Sequence, residues 1–457
     1  MPPEVEWTDQ YKLPESKKMT TFGLSIDSQD NVYSISRAYR IHNNETLAVI
    51  RKLNAHGVVI AEKAISPGGD KTTHISNGTL DSDENLIITG RIATLKKGFV
   101  VKFDKNLNIL WEATWQDGST VFHSVVTSPK DNAVYVTGAV KVNRLTGYMV
   151  AVKFDGQTGR FIDRADINRP AYEGVHMQAY DSVLVNDKNG KEWLYASYPA
   201  PERHSEIMWW RTDGAVIDWT MEKWWSSTDD KNPVQLIDHP DGYIVIGHRY
   251  MDTKSALSKL AYDENGFTAK RFEKLYVTAH DSDFHALTTD ESGRSIYLAA
   301  ATPDGISKTN DEQNALIAKY HPDCKTEHLH ACWVSRYNHS LQLNSNIDLR
   351  VLNWEILKSY SYETPSDVTV INDNVYMLVN STSKIATLID GKLSEMIKFD
   401  NTTGQIKSQI ILNNNWSHHM IKSNASDNAV FVSGENPPNL ESRDPDAYIH
   451  TRKVINL

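Results

Sequence analysis

One pattern recurs eight times along this chain and restricts its fold more than any bulk property. An aromatic or branched residue sits in a short run that leads to small residues. The copies are Asn31-Val32-Tyr33-Ser34-Ile35, Leu86-Ile87-Ile88-Thr89-Gly90, Ala133-Val134-Tyr135-Val136-Thr137-Gly138 and Trp193-Leu194-Tyr195-Ala196-Ser197. They continue as Tyr243-Ile244-Val245-Ile246-Gly247, Ile296-Tyr297-Leu298-Ala299, Val375-Tyr376-Met377-Leu378-Val379 and Val430-Phe431-Val432-Ser433-Gly434. Val, Ile, Tyr and Thr favour a pleated, half-buried surface, so each run predicts a strand.

A second signal keeps phase with the first. A Lys or Arg, an apolar residue and an Asp or Asn lead into a turn at Lys52-Leu53-Asn54, Lys102-Phe103-Asp104, Lys153-Phe154-Asp155 and Lys398-Phe399-Asp400. Arg211-Thr212-Asp213, Lys259 to Asp263 and Lys319-Tyr320-His321 are looser versions. Gly57, Gly159, Gly214, Gly266 and Gly404 lie close behind, where a tight turn uses the positive φ that glycine allows. Phe99 to Gly138 shows one whole unit: Phe99–Phe103, a run closing on Trp111, a run carrying His123, and Tyr135–Gly138. Copies recur at roughly 50–60 residues, the length four short strands and their turns require.

The periodicity predicts an all-β chain, a single β-propeller over residues 1–457 with eight four-stranded blades; seven is the alternative count. The last copy runs out after a third strand at Ala447–Val454. Val5-Glu6-Trp7-Thr8-Asp9-Gln10-Tyr11 resembles the strands of Trp111 and Trp219, so residues 1–19 are expected to supply the closing strand. The one long interval places an insertion at 338–363, and a smaller one contains Trp224 and Trp225. Both fall on the face where loops vary over a rigid scaffold.

Lys102 to Trp111 and Asn132 to Gly138 resemble the bacterial β-propeller repeats of the seven-bladed type, with their K-F/L-D-x-x-G-x-x-x-W turn and N-x-Y-V-T-G strand. The resemblance implies a fold and no particular function. This chain departs from it in having about eight units and in losing the Trp from several. The Trp-rich docking motif of quinone-dependent dehydrogenase propellers is not repeated, which sets that cofactor aside.

A net charge of −10 argues against nonspecific binding to nucleic acid or anionic membrane, and no apolar stretch is long enough to predict membrane insertion. Cys324 and Cys332, the two cysteines, flank a hairpin turn. A disulfide there is the first expectation. Two free thiols, or a metal site with His328 and His330, are the alternatives. Met1 to Trp7 lacks the charged and apolar regions of a signal peptide. The disulfide reading points to an extracellular, mature chain, against a cytoplasmic alternative. Asn-x-Ser/Thr triplets at Asn44, Asn77, Asn338, Asn380, Asn401, Asn415 and Asn424 add little, since a chain rich in these residues makes them by chance.

In a propeller the innermost strands line an axial funnel. His74, His123, His176, His285 and His418-His419 fall near their starts, so imidazoles from distant segments are expected at one mouth. His74, His123, His285 and His419 form a candidate divalent-metal set, for Zn or Ca. Arg37, Arg91, Tyr198, His248, Arg249 and Tyr250 follow second strands near the same mouth. His123, His285, Arg249 and Tyr250 are candidate catalytic groups for β-elimination on an acidic polysaccharide. His176, Arg37, Arg91, Trp224, Trp225 and His248 are candidate ligand-binding residues. The plainer reading has these side chains satisfying strand ends and facing solvent. No Gly-rich phosphate loop, HExxH helix or GxSxG elbow is present. Three functions follow: binding a glycan or small polar ligand, a funnel lyase or hydrolase, and a protein-interaction scaffold.

Overall fold

The computed structural model describes residues 4–40, 44–142, 147–169, 181–186, 189–200, 204–212, 219–224, 235–250, 254–263, 266–276, 283–303, 313–321, 323–324, 331–337, 361–383, 392–414, 417–424, 428–435 and 448–455. Apart from one 3-10 turn at Pro67–Gly69, their regular structure is all strand. The strands fall into antiparallel four-strand units, in chain order in all but the last. The first strands of the units are Ser16–Ile26, Thr73–Leu80, Ser119–Thr127, Asp181–Asn186, Gln235–His239, Asp283–Thr289, Ser361–Ile371 and Ser417–Asn424. Units six and seven are joined into one eight-stranded sheet by a parallel bridge between Gln313 and Tyr362. The recurring sequence runs are the second strands, such as Val32–Arg40 and Leu86–Ile92.

The first strands touch one another in chain order, and Ser417–Asn424 touches Ser16–Ile26. The core lies between units. Tyr33 and Ile35 of unit one pack with Ile75, Ile88, Phe99 and Phe103 of unit two. Ile87 and Val100, on the other face of unit two, pack with Phe122, Val136 and Phe154 of unit three. Second and third strands are therefore apolar on both faces, which explains why they read as unbroken hydrophobic runs.

The last unit takes its fourth strand from the other end of the chain. Glu4–Tyr11 pairs antiparallel with Ile449–Ile455, Trp7 opposite Lys453. The expected closing segment was longer: Ser16 to Met19 already belong to the first strand of unit one. Of the expected insertion, 338–360 lies outside the described residues, while Ser361, Tyr362 and Glu363 open a strand.

The turn motif has a physical cause. Lys102 Nζ and Trp111 Nε1 both donate to the carbonyl of Gly156 in the next unit's turn, at 2.8 and 3.0 Å. Lys319 and Trp333 do the same to Asn401 O, at 3.3 and 2.8 Å. Lys453 and Trp7 converge on Ala55 O, at 3.2 and 2.9 Å. In each receiving turn a glycine with positive φ lies flat against the indole; a Cβ on Gly57, Gly159 or Gly404 would sit 2.6, 2.6 or 2.5 Å from the ring. The Lys and Trp of one repeat thus read the carbonyl and Gly of the next.

The seam between units one and two shows the same rule by its exception. Ala61, opposite Lys52, holds the place that Trp111 holds opposite Lys102. The receiving turn carries Leu107 where the other turns have glycine, still at φ 61 and 2% exposed. A small residue for the indole and a large one for the glycine keep this seam filled. The strain of a positive φ on a leucine is offset by its burial with Tyr33, Ile50 and Phe103.

The Cys324–Cys332 disulfide is formed across the turn between Gln313–Tyr320 and Ala331–Tyr337, with Cα atoms 5.1 Å apart.

Candidate functional site

Most first strands carry a one-residue bulge near their start. The extra residue is Phe22 in unit one, Ser76 in unit two, His123 in unit three, His285 in unit six, Ser366 in unit seven and His419 in unit eight. Three of the imidazoles expected at the mouth therefore occupy one equivalent position, and bulges of this kind re-aim side chains. His74 does not share it; it lies two residues before the bulge of unit two, opposite Arg91.

Arg37 of unit one reaches His74 of unit two, Nη1 to Nδ1, at 2.9 Å. A guanidinium only donates, so Nδ1 holds the lone pair and Nε2 carries the proton. Burial, then the charges of Arg37 and Arg91, push His74 down to about 4, leaving it neutral at pH 7. Burial and then Arg91 hold His123 at about 4 as well. Its Nε2 is buried without a hydrogen-bond partner among the described residues. The Arg37 guanidinium stacks 4.8 Å from the Phe22 ring. Burial lowers its pKa, Glu435 opposes that, and Arg91 adds to it. His419 Nε2 lies 3.9 Å from Glu435 Oε1, whose partner atom Oε2 is buried with no hydrogen bond among the described residues.

These contacts make an arc over four consecutive units: His419 and Glu435 of unit eight, Arg37 of unit one, His74 and Arg91 of unit two, and His123 of unit three. A cleft of about 360 Å3 opens beside it, lined by Lys18, Thr20, Arg37, Tyr39, Asn44, Thr46, Thr72 and His74.

A second group is a pair of first-strand aspartates, Asp367 directly after the bulge of unit seven and Asp181 at the start of the unbulged strand of unit four. Asp181 Oδ1 accepts the Ser182 N–H and Oδ2 accepts the Leu236 N–H of unit five, both at 2.9 Å. Asp367 accepts Val368 N–H and, from unit eight, Ile421 N–H, at 2.9 and 3.0 Å. Burial raises both carboxyls, Asp181 to about 6, and the charge of Lys422 lowers both although it stands on unit eight. The same ammonium thus acts on carboxyls of units four and seven.

The remaining expected residues are less gathered. His285 holds its bulge in unit six. His248, Arg249 and Tyr250 end the strand Tyr243–Tyr250, and Trp224 ends Trp219–Trp224, paired with Ser205, so Trp224 belongs to a strand and not to a loop. His176 and Trp225 lie outside the described residues. Among the described residues no three His, Cys, Asp or Glu side chains converge as metal ligands. His74, with Nδ1 already taken by Arg37, is held in a tautomer unsuited to that role.

Sequence reasoning missed Glu435, Tyr39, Lys18, Asp181, Asp367 and Lys422. Glu435 was within reach of it: it follows Gly434 as Arg91 follows Gly90. The aspartates had a signal too, a carboxyl just ahead of the β-branched run of its first strand, as in Asp181-Ser182-Val183-Leu184-Val185 and Asp367-Val368-Thr369-Val370-Ile371.

No family model and no curated protein matches the sequence. Among solved structures, Sqt1 of Chaetomium thermophilum superposes with a TM-score of 0.56 at 9% identity, over 99% of this chain and 98% of that one. The β-propeller domain of the trilobed protease from Pyrococcus furiosus gives 0.42 at 12% identity, over 87% and 96%. A prolyl endopeptidase gives 0.48 at 9% identity, covering 92% of this chain and 55% of its own, so this chain spans just over half that enzyme's length. The fold is that of a β-propeller.

Proposed function

We propose that the eight units are the blades of one ring closed by the N-terminal strand, and that its loop-rich mouth binds a polar ligand, a glycan before others. The ring reading is supported by the returning series of first-strand contacts and by Trp7, which joins Lys453 on Ala55 as Trp111 joins Lys102 on Gly156. Removing residues 1–11 is expected to bare the edge of Ile449–Ile455 and cause aggregation, read by light scattering. Scattering unchanged from the native chain would count against closure.

The observation that carries the binding reading is the Arg37–His74 contact, which puts a guanidinium of one unit and a neutral imidazole of the next beside a cleft walled by Tyr39 and Thr hydroxyls. An aromatic face with hydroxyl and guanidinium groups is suited to sugars. The disulfide supports an extracellular setting for such a ligand. Binding is favoured over elimination because His74 and His123, both near 4, are too weakly basic to remove a proton near neutrality. A glycan array probed with the native chain and with Arg37→Ala tests this. Loss of the array signal is expected, and full retention would exclude the mouth.

A further inference from the structure

We infer that the ligand is a saccharide bearing carboxylates, a uronic-acid chain, with Arg37 and Arg91 taking the carboxylate and Glu435 with His123 taking ring hydroxyls. This rests on the mouth-binding reading above and adds the charge class.

Two features define the class. The first is positive charge without a direct partner. Neither Arg37 nor Arg91 makes an ion pair within 4 Å among the described residues; Glu435 acts on Arg37 only from beyond that distance, Arg91 opposes it, and Arg91 is exposed. Arg37 makes one side-chain hydrogen bond there, to His74, and its remaining N–H groups match the fork of a carboxylate. The second is unmet acceptor capacity. Glu435 Oε2 is buried without a hydrogen bond, and an ionised carboxylate only accepts. Whatever fills this arc must therefore donate protons as well as carry negative charge.

That pairing separates the anions. A sulfate ester matches the charge of a carboxylate, but a heavily sulfated chain has few hydroxyls left to donate to Glu435 Oε2. A neutral sugar supplies donors but brings no charge to the guanidiniums. A uronate supplies both within one ring. His123 Nε2, buried and unpartnered, completes the set as a hydroxyl partner at the unit-three end of the arc. Since His74 and His123 are neutral, they add hydrogen bonds without adding charge.

The test is calorimetric titration of the full chain with oligogalacturonate, its methyl ester, a neutral oligosaccharide of equal length, a heavily sulfated one and an acidic peptide. The uronate is expected to bind, with its methyl ester and the neutral chain weaker by about tenfold or more, the loss of one charge-assisted contact. Arg37→Ala and Arg91→Ala should each lose about tenfold, with Arg37→Lys recovering part of it. Glu435→Gln should weaken the uronate and tighten the sulfated chain, an opposite pair that misfolding does not produce. Tighter binding of the sulfated or neutral chain would overturn the uronate class and leave the mouth as the site. Binding of the acidic peptide alone overturns the saccharide class. Uronate binding unchanged in the Arg37→Ala/Arg91→Ala double variant would overturn the mouth reading itself, and no binding by any saccharide overturns both.

Discussion

The turns around Asp27 and Lys102 and the arc around Arg37 use the same residue types to opposite ends. At the turns, Lys102 is paired with Asp81 at 2.7 Å, with side chains 6% and 7% exposed, and donates to Gly156 O as well. Asp27 is likewise satisfied: burial acts to raise its pKa, but hydrogen bonds from Asn31 and Lys52 outweigh it and the net shift is downward. Both of these carboxylates are paired with a lysine inside the fold. In the arc, Arg37 has no ion pair within 4 Å among the described residues, Glu435 keeps a bare oxygen, and His123 a bare nitrogen. Buried polar groups are almost always satisfied, and a few neutral hydroxyls near the turns, those of Tyr135 and Tyr376, also lack a hydrogen bond; what sets the arc apart is that its unmet atoms belong to a carboxyl and an imidazole beside a guanidinium.

The sharpest way to break this contrast is at the turns. Lys102→Met leaves Asp81 buried and uncompensated, and is expected to cost about 3–5 kcal/mol in denaturant unfolding. A loss below about 1 kcal/mol would remove the turn face from its stabilising role.

Asp181 offers the next largest effect, with a sign opposite to that of Asp27. Its folded pKa is raised to about 6 from 3.8, so the native state holds the proton more tightly than the unfolded chain. The group therefore opposes folding above pH 6, and stability recovers as pH falls from 6 toward 4. Asp181→Asn should stabilise the protein at pH 8 by on the order of 3 kcal/mol, less whatever the lost N–H contact costs. The variant should also lose that part of the pH dependence, as read from melting curves between pH 4 and 8. Asp27, with a lowered pKa, acts in reverse: its contribution is present above the unfolded pKa and lost in acid.

Smaller again is the indole–glycine contact. Gly159→Ala drives a Cβ into the Trp111 ring and sets a non-glycine residue at φ 70. A loss of about 1–2 kcal/mol is expected. Leu107→Gly, where no indole waits, should instead lose stability through the emptied pocket, and Ala61→Trp combined with Leu107→Gly should restore part of it. Absence of that rescue would end the claim that the two positions exchange volume.

The smallest stability effect belongs to the mouth. Arg37→Ala should change unfolding free energy by within about 0.5 kcal/mol while raising the His74 pKa from about 4 toward its ordinary value, since one of the two charges opposing protonation is gone. The imidazole Hε1 resonance of His74 in an NMR titration reads this directly. A depressed histidine costs stability as pH falls below its unfolded pKa, so the variant should also tolerate mild acid better. A His74 pKa unmoved by the substitution would mean that burial alone sets it.

Much of the architecture was legible in the chain because its causes are local and repeated. Strand propensity, turn chemistry and a fixed interval between copies are properties of neighbouring residues, and they pointed to all eight second strands and to the pairing of Trp7 with the last segment. The Lys, Trp and Gly of the turn motif were visible as letters. That a Lys and Trp serve the following turn and not their own was not visible, since the partners stand in different repeats.

The site was legible in its parts and not in its grouping. Arg37, His74, Arg91 and His123 were named from their offsets after each repeat, and the structure joins them in one arc. His285 came from the same reasoning, yet its unit stands three further along the chain from that of His123. A one-residue bulge decides where a side chain on the first strand is aimed, and nothing in the local sequence announces it. The repeat unit, its length and its turns were thus determined by the amino-acid order alone. Which units become neighbours across the first and last residues, which imidazoles lose their charge, and which polar atoms stay without a partner were decided only in three dimensions. Burial and electrostatic proximity depend on segments hundreds of residues apart, and no local pattern encodes them.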